Sequence, residues 1–170
     1  LLLETALLDY DIPYFIDRKE TVQQHPLTEF LLSAFDIVQN HWNYQSMFRF
    51  IKCGLLPFDR ESIDLLENYV LQYGIKGSAW YRTEPWQYGI HNETDEEQKQ
   101  RIARLDALRL TIAEPLHRFM HSVHGAHTAA EIIDALYVLL DAFQIPSQLE
   151  AICSRAIAEN LLDLAQVHQQ

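Results

Sequence analysis

The sequence has few of the residues that mark several common classes of protein. It contains two cysteines, five glycines and six prolines among 170 residues, and 48% of its residues are apolar. This composition excludes a disordered or fibrous chain and predicts one globular core. Cys53 and Cys153 are distant in sequence and form no C-x-x-C metal-ligand pair. We therefore expect both thiols to be reduced and structural, in a cytoplasmic protein.

Positive charge is also scarce. The chain carries 13 Lys and Arg residues against 24 Asp and Glu residues, for a formal net charge of −11 and a pI near 5.0. Binding to nucleic acid is driven by clustered cations on the protein, so a chain that grips DNA over its whole surface is excluded. Any DNA contact would have to be a local patch.

Long apolar runs are missing as well. The opening "LLLETALL" is short and is flanked by Glu4 and Asp9, so it predicts neither a signal peptide nor a membrane span. No membrane partner is therefore expected. The first residue is Leu, and from this we expect the chain to be a piece of a longer protein.

Familiar catalytic motifs are absent from the sequence. It has no G-x-x-x-x-G-K-[ST], G-x-G-x-x-G, G-x-S-x-G or H-E-x-x-H pattern, and its glycines never form a phosphate-binding nest before a helix. Asp95, Glu96 and Glu97 open a helix, where negative charge is stabilised, so we interpret them as capping residues and not as catalytic ones. We predict no catalytic and no cofactor-binding residue in this chain.

What the sequence does contain is helical periodicity over most of its length. Apolar residues at spacings of three and four predict helices over residues 26–40, 44–53, 59–73, 94–123, 128–143 and 147 to beyond 162. Pro26, Asp59 and Gly74 are start and stop signals, and capping boxes begin at Thr94, Thr128 and Ser147. Pro115 is expected to kink the long helix or to divide it near Ala113.

The N-terminal region differs from this pattern. Residues 1–10 favour a helix, and Ile12–Ile16 reads as a short buried strand, which together make half of an α/β unit. The strand has no clear neighbour, because residues 79–83 and 86–90 look like a loop that Trp80 and Trp86 pin to the helices; a base-stacking platform is the alternative. The predicted fold is mostly α: a helical bundle with a short N-terminal α/β remnant.

Two groups of polar residues are candidates for a site. His117, His121 and His124 share one helical face, and His127 could return as a fourth ligand, although solvated histidines are the favoured interpretation and no metal ligand is assigned. Arg18, Lys19, Arg49 and Lys52 are candidates for DNA phosphate contacts. The alternative for these cations is a solvated helix face.

The order of elements resembles a known family. The segments "IPYFID", "HPLTEFLLSAFDIV", "NHWNYQSMFRFIKCGLLPFD", "LENYVLQYGIKGSAW" and "EPLHRF" are together similar to the AddB/RexB family, the B subunits of bacterial ATP-dependent helicase-nucleases. The arrangement also resembles superfamily-1 helicases of the UvrD type, in which an "IPY" strand leads into the helical 2B insertion. On this resemblance, residues 1–17 would be a remnant of a motor-like domain and residues 18–170 a 2B-like accessory domain.

The resemblance implies a parent enzyme that unwinds and resects double-strand ends in recombinational repair. That parent would use ATP, Mg²⁺ and an iron-sulfur cluster, bound outside this chain, and would work on DNA with an AddA/RexA partner. Three hypotheses follow: a non-catalytic accessory domain that contacts DNA or the partner subunit, a helical protein-interaction module without a nucleic-acid role, and a small metal enzyme built on the histidines.

Overall fold

The computed structural model describes residues 25–87 and 96–167 together with Leu7 and Tyr10. In the last helix it describes side chains as far as Arg155 and at Ala158. This part forms six α-helices: α1 (Pro26–Gln39), α2 (Tyr44–Ile51), α3 (Arg60–Tyr73), α4 (Glu96–Gly125), α5 (Ala129–Ala142) and α6 (Ile145–Val167). One 3₁₀ turn lies at Gly77–Ala79. No strand occurs among these residues. The prediction of a mostly α-helical bundle is confirmed.

The predicted α/β remnant falls outside the described residues, apart from Leu7 and Tyr10. The strand at residues 12–16 and the division between residues 1–17 and 18–170 therefore stay predictions. The capping residue Thr94 also lies outside the described part.

Most helix ends follow from local chemistry. The side chains of Asn43 and Asp59 accept hydrogen bonds from the backbone N–H groups of Ser46 and Ser62, each at 2.8 Å, and so cap α2 and α3. Gly74 ends α3 in the left-handed conformation, with φ at 60°. At α5 the Thr128 side chain and the Glu131 side chain form the predicted capping box.

Helix α4 continues through Pro115 without a break, so the expected division near Ala113 is wrong. Proline removes the N–H that would bond to the carbonyl one turn earlier, at Thr111. Thr111 is exposed, and its carbonyl can be hydrated there. The apolar stripe on the opposite side of α4, including Ile112 and Leu116, is fully buried and holds the helix in place.

The start of α6 also differs from the prediction. The helix begins at Ile145 and not at Ser147, so Ser147 does not serve as its cap. Pro146 is the second helical residue, where the missing N–H has no intrahelical acceptor to lose. The chain turns at Gln144 instead, which has a positive φ of 53°.

The core is built from aromatic contacts between helices that are distant in sequence. Phe30 of α1 packs on Phe50 of α2 with ring centroids 4.7 Å apart, and Phe143 closes against Phe50 at 5.5 Å. Phe35 of α1 meets Phe119 of α4 at 5.4 Å. These contacts join α1, α2 and α4 to the end of α5.

The segment of residues 75–87 between α3 and α4 is irregular apart from the 3₁₀ turn. Trp80 and Trp86 are 0% and 1% exposed, and their rings meet edge to face at 5.5 Å. The Trp86 indole also donates a hydrogen bond to the Ala79 carbonyl at 2.8 Å. The prediction that these tryptophans pin a loop is confirmed, and neither ring is available as a base-stacking platform.

Candidate functional site

The predicted contact residue Arg49 lies on α2 and binds two carboxylates of α1. Its Nε atom is 2.7 Å from Glu29 and its Nη1 atom is 2.9 Å from Asp36. The hydrogen bond from Arg49 lowers the pKa of the Glu29 carboxyl and raises that of the guanidinium. The Arg49 side chain is still 42% exposed. Its charge therefore serves the α1–α2 contact while its edge remains open to solvent.

Lys52 is placed in the same way at the end of α2. Its Nζ atom lies 2.6 Å from Glu67 of α3, and the other oxygen of Glu67 accepts a 2.6 Å hydrogen bond from the Tyr44 hydroxyl. The Lys52 and Tyr44 bonds lower the pKa of Glu67, and the bond to this carboxylate raises the pKa of Tyr44. The site thus links α2 to α3.

A DNA phosphate at Arg49 or Lys52 would have to compete with these carboxylates. Phosphate contact by the two residues stays a prediction. The sequence did not indicate that both residues are already paired with carboxylates. Arg18 and Lys19 lie outside the described residues.

A second candidate surface is a cleft of about 680 Å³ between α3 and α4, which we call the α3–α4 cleft. Its apolar lining is partly or fully buried apart from the exposed Pro57, and its charged lining is exposed. The apolar side chains come from the segment before α3 and from both helices: Pro57, Phe58, Leu65, Leu105 and Leu108. The remaining lining residues are polar or charged, so the cleft combines an apolar strip with a polar rim, and its volume lies in the range of ligand-binding pockets.

Two arginines on the rim of this cleft distinguish it from the α2 surface. Arg101 and Arg104 are exposed, and neither forms an ion pair within the part of the chain that the structure describes. Carboxylates of Asp59, Glu61 and Glu97 line the same cleft. The Asp59 carboxylate accepts hydrogen bonds from the Ser62 hydroxyl and backbone N–H, and these bonds lower its pKa.

Sequence reasoning missed this pair of arginines. Their spacing of three residues placed them on one side of α4, next to the apolar stripe that contains Leu105 and Leu108. That spacing was the available signal. The cleft itself depends on how α3 crosses α4, which periodicity does not specify.

A buried ion pair fixes the 75–87 segment on α4. Arg109 is fully buried and donates from Nε to Asp106 at 2.8 Å and from Nη1 to the carbonyls of Trp80 and Arg82 at 2.8 and 2.9 Å. Asp106 also accepts the Trp86 backbone N–H at 2.9 Å. This pair positions the segment; it lies too deep for a ligand to reach.

The histidines do not assemble as a ligand set. His117 stacks on Tyr81 with ring centroids 4.2 Å apart and meets His121 edge to face at 4.5 Å. Across residues 25–87 and 96–155, no three His, Cys, Asp or Glu side chains are placed to hold a metal ion. Burial lowers the pKa of His117, and the nearby His121 lowers it further. The geometry gives the metal-enzyme hypothesis no support.

Helix α5 presents a third surface, which is apolar and exposed. Ile133, Tyr137 and Val138 are 51%, 69% and 62% exposed. The opposite face of α5 is buried through Ala135 and Leu139. Among the described residues, no helix is both long enough and apolar enough to cross a membrane.

Comparison with known proteins gives one consistent family. The chain is 37%, 38% and 39% identical to the B subunits of the ATP-dependent helicase/deoxyribonucleases of Geobacillus thermodenitrificans, Acetivibrio thermocellus and Moorella thermoacetica. Each alignment covers 99% of this chain. The resemblance to the AddB/RexB family is confirmed.

The chain spans only 15–16% of the length of these AddB/RexB proteins, so it is homologous to one segment of them. No protein-family model matches it. The similarity to UvrD-type 2B insertions stays a prediction.

Proposed function

We propose that this chain is a non-catalytic accessory region of the B subunit of an ATP-dependent helicase/deoxyribonuclease that acts in double-strand-break repair in the cytoplasm. In this role it contacts DNA, the A-type partner subunit, or both. The observation that carries the proposal is the alignment of 99% of the chain with one segment of the related proteins. The parent enzyme would bind ATP, Mg²⁺ and an iron-sulfur cluster through other parts of its chain.

The described residues support a contact role over a catalytic one. The charged side chains on the helix surfaces that we described either pair with each other, as Arg49 does, or line an open cleft, as Arg104 does. An accessory region needs only shape and surface chemistry, since the motor and nuclease reactions would take place elsewhere in the parent enzyme.

The second candidate function is a protein-interaction module without a nucleic-acid role. Two observations favour it: the net charge of −11, which opposes a polyanion, and the exposed apolar face of α5 around Tyr137. It differs from the first candidate in one measurable property, the binding of DNA.

Fluorescence anisotropy with a labelled forked DNA and a labelled single strand tests the DNA contact. The chain should bind at low salt, and the double variant Arg49→Ala/Lys52→Ala should weaken binding by at least about fivefold, because each lost phosphate contact removes a salt-sensitive term. The matched control is Lys76→Ala/Arg118→Ala, which removes the same charge from other exposed positions.

The outcomes separate the two functions. Equal weakening by both double variants would mean that only net charge matters and that Arg49 and Lys52 are not contacts. No binding of either DNA at low salt would remove the nucleic-acid role and leave the interaction module. Thermal midpoints of each variant show whether loss of the pairs with Glu29 and Glu67 has unfolded the chain.

A further inference from the structure

We propose that the α3–α4 cleft binds a segment of a second protein chain, one that presents an apolar side chain beside a carboxylate. The apolar side chain would enter between α3 and α4, and Arg101 and Arg104 would bind the carboxylate. This inference rests on the proposed function, because it assigns the partner contact of that function to one site.

The shape of the cleft fits an apolar side chain of a partner. Leu105 is buried at its base, and Phe58, Leu65 and Leu108 are only half-buried, so they retain apolar surface that faces the cleft. Protein interfaces commonly combine such an apolar centre with a polar rim. A side chain of the partner that fills the cleft would remove this surface from water.

The two arginines carry positive charges that form no ion pair with other described residues. The exposed cations of α2 are already paired, Arg49 with Glu29 and Lys52 with Glu67. Arg101 and Arg104 are exposed and have no such partner in the ranges 25–87 and 96–155. Arginine binds a carboxylate through two parallel hydrogen bonds, which gives both strength and direction.

The acidic residues of the cleft favour a protein over a nucleic acid as its ligand. Asp59, Glu61 and Glu97 line the same cavity as the two arginines. A phosphate backbone carries a charge at every nucleotide and would bring some of these charges against the carboxylates. A peptide can place one carboxylate at the arginines and neutral groups elsewhere, so the charge pattern favours a peptide.

A smaller adjoining pocket extends the surface along α3. It has a volume of about 210 Å³, shares Arg101 and Leu105 with the cleft, and is lined by the amides of Asn68 and Gln72. Side-chain amides can both donate to and accept from a peptide backbone. The two pockets meet at Arg101 and Leu105, so a bound peptide could reach an apolar anchor, an anion site and side-chain amides from neighbouring positions.

Isothermal titration calorimetry with the purified A-type partner from the same organism tests this site. The double variant Arg101→Ala/Arg104→Ala should weaken binding about tenfold or more, whereas Arg101→Lys/Arg104→Lys should retain part of it, since charge remains but the two-pronged geometry is lost. Phe58→Ala should also weaken binding. Lys76→Ala/Arg118→Ala is the charge-matched control and should bind as the unchanged chain does.

The same variants are titrated in parallel with labelled single-stranded DNA. Unchanged binding of the A-type partner by Arg101→Ala/Arg104→Ala would overturn the inference while leaving the proposed function intact. Loss of DNA binding with retained partner binding would also overturn it, and would make the cleft a nucleic-acid site. A chain that binds neither the A-type partner nor DNA would contradict the proposed function itself. Circular dichroism of each variant establishes that it is folded.

Discussion

Arg109 is a charged side chain that lies fully inside the protein, between α4 and the 75–87 segment. Removing a guanidinium from water is costly, and Asp106 and two backbone carbonyls offset part of that cost, while Nη2 has no hydrogen-bond partner among the described residues. The same carboxylate holds the Trp86 N–H. One residue pair therefore anchors a long irregular segment, which lacks regular backbone pairing of its own.

Arg109→Ala should lower the free energy of unfolding by about 3–5 kcal/mol, because it leaves the buried Asp106 carboxylate without its cation and two loop carbonyls without their donor. Urea denaturation followed by tryptophan fluorescence measures this change. Arg118→Ala, an exposed position on the same helix, is the control and should stay within about 0.5 kcal/mol of the unchanged chain. A small effect at both positions would show that the pair does not hold the segment.

His117 gives a prediction about pH. Its pKa in the folded protein is lowered, chiefly by burial and then by His121, and its ring lies on Tyr81. Below the usual histidine value of about 6.5, the unfolded chain takes up this proton before the folded one does. The contribution of His117 to stability is therefore complete at higher pH and falls as the pH drops below that value.

The variant His117→Gln should show a weaker loss of stability between about pH 7.5 and 5.5 than the unchanged chain, since the titrating group is gone. Thermal midpoints across this range give the comparison. Identical slopes for the two proteins would contradict a lowered pKa at this position.

At the scale of the helices, the sequence indicated most boundaries because their signals are local. Asp59 and Thr128 cap the N-termini of α3 and α5, and Gly74 ends α3, as their residue types predict. Asn43, another common N-cap residue, caps α2. Other ends differ by one or two residues, and the two larger differences, the division expected near Ala113 and the start of α6, both involve proline. Whether Pro115 or Pro146 interrupts a helix depends on the surroundings of the missing N–H, and tertiary packing sets those surroundings.

The apolar stripe of α4 carries a stability prediction. Leu105 and Phe119 are 5% and 3% exposed, so Leu105→Ala or Phe119→Ala should each cost about 2–5 kcal/mol through lost burial and a residual cavity. Denaturant midpoints measure the loss. Glu114→Ala, exposed on the same helix, is the matched control. Unchanged midpoints for the two core variants would mean that this stripe is not part of the core.

At the scale of the whole molecule, the charge limits how DNA could be bound. Two phosphate contacts, by Arg49 and Lys52, would give a slope of about −1.4 in log affinity against log salt for a single strand, and four contacts with Arg18 and Lys19 about −2.8. A titration of labelled single strand from low to moderate salt measures this slope. A much steeper slope would require a cationic surface beyond these four residues.

The fold class and the core were accessible from the sequence, whereas the arrangement of surfaces was not. Periodicity placed Leu105 and Phe119 in the core, because burial follows the helical repeat. The α3–α4 cleft and the pairing of Arg49 with Asp36 join residues from different helices. Arg109 is a charged residue that is buried, although charged residues are usually exposed. Their geometry depends on helix crossing, on which a periodic pattern carries no information.

Helix α4 runs unbroken for 30 residues and is therefore about 45 Å long, and its two halves contact different neighbours. Its first half borders α3 and the cleft, and its second half packs on α1 and α5. A shift of its first half would therefore either move the second half or bend the helix, and Pro115, which removes one backbone hydrogen bond, is the point where bending would cost least.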